Sequence, residues 1–145
     1  MIALLQRVSA AAVEVSGKQV AAIGNGLLVF VGVERNDAEV NAARLAERIL
    51  GYRVFADAAG KMNLSIRDVA GALLLVPQFP LAADTTKGTR ASLSSAAAPA
   101  EGRRLFDVVA TRIRQSGLVV ATGLFGADMS VTLTNEGPVT FRLRA

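Results

Sequence analysis

Apolar positions come in short runs at the start of the chain and at helical spacing further on. Residues 3–8 and 12–15 are apolar runs rich in β-branched side chains, and each reads as a strand. Ser16-Gly17-Lys18 is the turn into a third run, 19–23, and Gly24-Asn25-Gly26 makes a second turn. Residues 27–33 are continuously apolar, as expected of a strand buried on both faces. Strands joined by tight turns predict an antiparallel meander.

The period then changes. Ala42, Leu45, Ala46, Ile49 and Leu50 recur at helical spacing, with Arg44, Glu47 and Arg48 on the opposite side. Asn36 is the predicted N-cap, Glu39 can reach back three residues later, and Gly51 marks the end. Residues 52–56 read as a strand, 57–61 as a turn, 64–69 as one helical turn, and 72–76 as an unbroken apolar strand stopped by Pro77. Residues 92–98 carry no pattern. Pro99 suits a first helical position, and a second helix is predicted over 100–116, with Leu105, Val108, Val109 and Ile113 inward and Gly117 beyond its end. Residues 118–122 read as a strand, 123–129 as a glycine-punctuated loop, and 130–133 and 139–143 as two last strands. The helices are not regularly interleaved with the strands, which predicts α+β rather than a doubly wound sheet.

Composition narrows the chemistry. At 145 residues and 52% hydrophobic, with no internal repeat or long linker, the chain reads as one domain over 1–145. No apolar run approaches the ~18 residues of a membrane span, and the first residues are too soon charged for a signal peptide. Cysteine is absent, which excludes disulfides and thiolate catalysis and fits the cytoplasm. Histidine is absent too, which excludes a Ser-His-Asp or Cys-His site and the usual His-containing zinc sites. Catalysis would have to come from carboxylates, lysine, hydroxyls, backbone groups or the substrate. The net charge is +4, and 13 of the 16 cations are arginine, whose flat fork of donors matches phosphate oxygens. An anionic partner, RNA included, is consistent with that balance, as is a solvated surface.

Two stretches carry candidate chemistry. Thr134-Asn135-Glu136-Gly137-Pro138 separates the last two strands. It reads either as an ordinary turn or as a stiff Gly-Pro pair presenting bare carbonyl oxygens to a ligand. Pro77-Gln78-Phe79-Pro80 ends a buried strand, where scaffolds often hold sites. Gln78 brings a donor and an acceptor, and Phe79 a face on which a base could stack; the bland alternative is a capped strand with a core phenylalanine. The loop beyond it, with Lys87 and Arg90 among Thr and Gly, suits either phosphate contacts or plain exposure. Arg7, the lone cation of the first strand, is a surface residue or reaches under a loop to hold backbone carbonyls.

Taken together, residues 1–8, Gly26-Leu27-Leu28-Val29, Gly60-Lys61-Met62-Asn63, Gln78-Phe79, Phe125-Gly126-Ala127-Asp128-Met129 and Asn135-Glu136-Gly137-Pro138-Val139-Thr140 resemble the D-aminoacyl-tRNA deacylases, in order and along essentially the whole chain. The resemblance implies hydrolysis of the ester between a D-amino acid, or glycine mischarged on alanine tRNA, and the 3′-terminal adenosine of tRNA. It implies a cytoplasmic homodimer with its active site at the subunit interface, and neither metal nor cofactor. By the same resemblance, Gly137-Pro138 is a cis pair that enters the partner's pocket and rejects L side chains, and Arg7 braces it. Gln78 and Phe79 lie at the reacting carbonyl and the terminal nucleotide, with Met129 among the substrate contacts. Backbone N–H groups near Gln78 and Phe79 are the expected oxyanion donors, and the 2′-hydroxyl of the terminal ribose could assist the attacking water. Pattern and resemblance together predict a single α+β domain with two principal helices and a mostly antiparallel or mixed, barrel-like sheet.

The chain departs from the family pattern at two places. The usual Ser-Gln-Phe-Thr reads Pro77-Gln78-Phe79-Pro80, so no threonine nucleophile is available at 80. The usual Arg-Pro-Ser-Phe reads Arg90-Ala91-Ser92-Leu93. Two rival readings remain: a non-catalytic RNA-binding module, and a hydrolase of small non-RNA esters.

Overall fold

The computed structural model describes residues 1–145. Its spine is one long strand, β1 (Ile2–Val15). Along one edge β1 pairs antiparallel with β8 (Ser130–Arg144) over nearly its whole length. Along the other it pairs antiparallel with β3 (Gly26–Gly32) through residues 2–8 and with β2 (Lys18–Ile23) through residues 11–15. The runs at 3–8 and 12–15 are therefore one strand, not two. The expected meander is also replaced: β2 and β3 each pair with β1 and not with each other. β1 is long enough to offer β2 one half of an edge and β3 the other, so β3 pairs with β1 and not with its chain neighbour.

The sheet continues from β3 to β6 (Ala72–Pro77) and then β7 (Val120–Thr122), both pairings parallel. Parallel neighbours need a crossover, and the two helices supply it. α1 (Glu39–Gly51) lies between β3 and β6, and α2 (Pro99–Arg114) between β6 and β7. A two-stranded ribbon, β4 (Phe55–Ala56) with β5 (Met62–Leu64), is inserted before β6. Only the end of the predicted strand at 52–56 forms, and β5 lies between the predicted turn at 57–61 and the predicted helical turn at 64–69, taking the first residue of the latter. The sheet curls into a nearly closed, barrel-like α+β fold, as expected.

Curling gives the sheet two buried faces. Leu27, Val29 and Val31 of β3 and Leu73 and Leu75 of β6 join the larger core with Leu45, Ile49, Leu105, Val109 and Ile113 of the helices. Their alternates, Leu28 of β3 with Leu74 and Val76 of β6, face a smaller cluster with Val8, Val13 and Ile23. Period-two side chains buried on both sides explain why these strands read as unbroken apolar runs. Gly26 permits the close β3–β6 approach, since a Cβ there would lie 1.9 Å from the Ala72 carbonyl oxygen.

Helix α1 does not begin as expected. Asp37 Oδ1 binds the Met1 ammonium at 2.5 Å, and its Oδ2 accepts the Glu34 N–H at 2.6 Å. Asn36 thus stays outside the helix. Ala38 is the N-cap residue, and its N–H is met by Asn41 Oδ1 at 2.9 Å. α2 starts on Pro99 as the first helical residue and ends two residues before the predicted Ser116; Phe106 and Ala110 are buried alongside the expected Leu105, Val109 and Ile113, whereas Val108 is only half-buried.

Candidate active site

The last two predicted strands are one strand, β8, interrupted by a bulge. Gln6 of β1 is opposite Thr140, and Val8 is opposite Asn135. Residues 136–139 therefore face the single residue Arg7. Such an insertion pushes the chain out of the ladder. Val139 is buried, while Glu136, Gly137 and Pro138 are exposed. The Gly137-Pro138 peptide is cis, and Gly137 has φ +118°.

The bulge is held from beneath. Arg7 does not splay onto the surface. Its Nη1 donates to the Val54 carbonyl at 2.6 Å, and its Nη2 lies 2.9 Å from where a Cβ on Gly137 would be. Arg7 Nε is buried with no acceptor. Arg7 thus reaches under the Gly-Pro loop, the second of the two sequence readings. The Asn135 side-chain amide donates to the carbonyls of Arg7 and Val139, both at 3.0 Å. Asn135 entered the sequence reading as part of a motif only. Its ligation of two carbonyls was not legible there, because the partners lie across the sheet.

The second stretch lies elsewhere on the same chain. β6 ends at Pro77, and Phe79–Ala82 form one 3-10 turn. A cleft of about 300 Å³ opens beside it, lined by Val76, Gln78, Phe79, Pro80, Asp128 and Met129 among others. Phe79 is exposed, not a core residue. Met129 packs its apolar side chain against the smaller core cluster. The main-chain groups of Gln78 are both engaged in the fold: its N–H donates to the Val31 carbonyl at 2.8 Å, and its carbonyl accepts from Leu81 N–H at 3.1 Å. The expectation of a Gln78 backbone oxyanion donor is corrected accordingly. What Gln78 offers to the cleft is its side-chain amide. Pro80 has no N–H, so the Phe79 N–H is the amide at the head of the turn without an acceptor inside it.

An apolar cavity of about 230 Å³ adjoins this cleft and shares Pro77, Phe79 and Gly126 with it; Val33, Phe106 and Phe125 complete much of its wall. Beyond the 3-10 turn, Asp84 and Ser92 exchange both main-chain hydrogen bonds, at 2.8 and 2.9 Å, and close the intervening loop. That loop carries Lys87 and Arg90, both exposed. Gly137, Pro138 and Arg7 are not in the wall of either cavity. One copy of the chain therefore brings Gln78, Phe79 and Met129 together and keeps the Gly-Pro bulge apart from them. There is no cluster of carboxylates able to hold a metal ion.

A curled mixed sheet backed by two helices, with a Gly-Pro bulge beside an inward-reaching arginine, defines the class: the tRNA deacylase fold. A structure described as a probable eukaryotic D-amino acid tRNA deacylase shares that fold at TM-score 0.82, with 18% identity over 98% of each chain. The chain belongs to the D-Tyr-tRNA(Tyr) deacylase family, whose model matches residues 4–144. It is similar to a D-aminoacyl-tRNA deacylase of Thioalkalivibrio sulfidiphilus, 62% identical over 143 residues, covering 99% of this chain and 96% of that protein. It is also similar to one of Vibrio cholerae, 57% identical over 145 residues and the whole of both chains. A solved structure described as c-Myc DNA Unwinding Element Binding Protein superposes at TM-score 0.94, with 33% identity, over 100% of this chain and 99% of that one.

Proposed function

We propose that this chain is a cytoplasmic homodimeric hydrolase of D-aminoacyl-tRNA, and of glycine mischarged on alanine tRNA, with Gly137-Pro138 of each copy entering the partner's cleft. The observation that carries this reading is the separation of the two halves of the site. The Gly-Pro pair is exposed yet braced from below by Arg7 and Asn135. The cleft with Gln78, Phe79 and Met129 lacks it. A second copy completes both. No helix is long and apolar enough to cross a membrane.

In the completed site, the Gly137 and Pro138 carbonyls accept hydrogen bonds from the substrate's ammonium group. With no side chain at Gly137, these oxygens stand close to the substrate Cα and exclude a side chain of L configuration. Water adds to the ester carbonyl, and the developing oxyanion is met by the Phe79 N–H. The tetrahedral intermediate collapses with cleavage of the bond to the ribose 3′-oxygen. That oxygen leaves as a hydroxyl after taking up a proton, and the amino acid departs as its carboxylate. The neighbouring 2′-hydroxyl positions the water. The Gln78 amide orients the reacting group, and the adjoining apolar cavity takes the terminal base. Neither histidine nor a hydroxyl at 77 or 80 is needed, because placement and oxyanion stabilisation act on an ester that is already reactive. Lys87 and Arg90 face the phosphates of the RNA end.

Deacylation of matched D- and L-tyrosyl-tRNA, with and without the terminal 2′-hydroxyl, tests the proposal. Rapid release of D-tyrosine only, slowed without the 2′-hydroxyl, is the expected result; equal release of both enantiomers overturns it. The second reading, a nucleic-acid-binding module without turnover, is favoured by the loss of both hydroxyls at Pro77 and Pro80, and predicts retained tRNA binding with no release. Turnover of free aminoacyl esters, indifferent to the tRNA body, would point instead to a small-ester hydrolase.

A further inference from the structure

We infer that Asn135 is a positioning residue for chiral discrimination, setting the direction of the Gly137 and Pro138 carbonyls; this rests on the function proposed above. The geometry is specific. Residues 136–139 form an outward loop opposite one residue of β1, and such a loop has no ladder of its own to fix its direction. Asn135 stands at the point where the loop leaves the ladder. The two hydrogens of its amide go to the carbonyl of Arg7 across the sheet and to the carbonyl of Val139 at the far side of the loop. One side chain thereby ties the two ends of the loop to each other and to β1. Arg7 Nη2 lies near Gly137 in the loop's middle, and the Asn135 amide bonds across its base. The amide is half-buried, so losing it leaves two partly shielded carbonyls without these donors. The loop would then swing relative to β1, and its two exposed carbonyls with it.

A threonine or serine could not reproduce this, since a hydroxyl has one hydrogen to give. Aspartate matches the shape and has none in its ionised form. The residue type, not merely its size, therefore carries the role.

The test compares Asn135→Ala and Asn135→Ser with Gln6→Ala. Gln6 donates to Thr140 Oγ1 at 3.1 Å at the ladder pair flanking the loop, so its removal costs a nearby cross-strand bond while leaving both Asn135 bonds in place. Deacylation of D- and L-tyrosyl-tRNA and the melting curve are measured for each. The expected result is a D-to-L rate ratio lowered by about tenfold to a hundredfold in both Asn135 variants, by the sensitivity of such sites to small misplacements, and unchanged in Gln6→Ala. Folded Asn135 variants that keep the wild-type ratio overturn the inference while leaving the proposed function standing. Failure of both Asn135 variants to fold also overturns it, by assigning Asn135 to the fold alone. A wild-type protein without enantiomer preference fails at the level of the proposed function instead.

Discussion

Replacing Gly137 by alanine perturbs one backbone position whose surroundings are known atom by atom. The new Cβ would lie 2.7 Å from Val139 Cγ2, 2.9 Å from Arg7 Nη2 and 3.1 Å from the Val139 nitrogen. Val139 is 8% exposed, so its methyl has little free space to move into. Arg7 can retreat, but only by pulling on the bond from its Nη1 to Val54. A φ of +118° adds a conformational cost for any L side chain, about 1–3 kcal/mol. Weakening one hydrogen bond from a charged donor costs about 1.5–3 kcal/mol. Partial relaxation makes the whole loss about 2–5 kcal/mol, which for a chain of this size is roughly 6–20 °C in melting temperature. The assay is a thermal melt followed by circular dichroism, with single-turnover hydrolysis of D-tyrosyl-tRNA in parallel. The rate should fall by about a hundredfold, because the carbonyls move away from the substrate. A variant that melts with the wild type and hydrolyses the substrate at the same rate would refute the reasoning.

Gly26→Ala should be more damaging, since its Cβ would meet main chain, 1.9 Å from the Ala72 oxygen, and β3 and β6 would have to part; soluble expression with an unchanged melt would contradict the parallel register. Pro80→Thr restores a hydroxyl beside Phe79, and if protein hydroxyls take no part the D-tyrosyl-tRNA rate should change by less than about threefold, well below the usual worth of a general acid or base; a hundredfold gain would place covalent or acid–base work on that side chain. Asp57 and Asp68 are both held below the ordinary carboxylate range, Asp57 chiefly by the Asn63 amide and Asp68 chiefly by the Ser65 hydroxyl. Their contribution to stability is present above the ordinary carboxylate pKa and is lost as pH falls through the lowered values. Asp57→Asn should therefore flatten the acid limb of a melting-temperature profile below about pH 4, and an unaltered limb would show that the turn does not contribute.

Much of the fold was readable because burial leaves a mark on residue type. The unbroken runs of β3 and β6 marked strands with two buried faces, and both helices showed their inward stripe. Strand order left no such mark. The apolar runs at 3–8 and 12–15 read as two strands, yet the strand continues through both and offers different halves of one edge to β2 and β3. The start of α1 was misread because the ligand of Asp37 is the ammonium of Met1, 36 residues away along the chain. The exposure of Phe79 and the engagement of the Gln78 N–H depend on neighbours in β3 and on the 3-10 turn.

By itself the sequence determined the chemical inventory. It has no histidine and no cysteine, proline on both sides of Gln78-Phe79, and a Gly-Pro pair between two polar-apolar alternating runs. Those are properties of single residues and their immediate neighbours. The tertiary structure alone decided where the inventory stands. Arg7 and Asn135 lie against the Gly-Pro bulge because β1 and β8 pair antiparallel with four residues of β8 opposite one of β1. The cleft opens at the end of β6 because a crossover returns the chain parallel to β3. Pairing and register are sums over long-range contacts, and no local pattern of residues encodes such a sum.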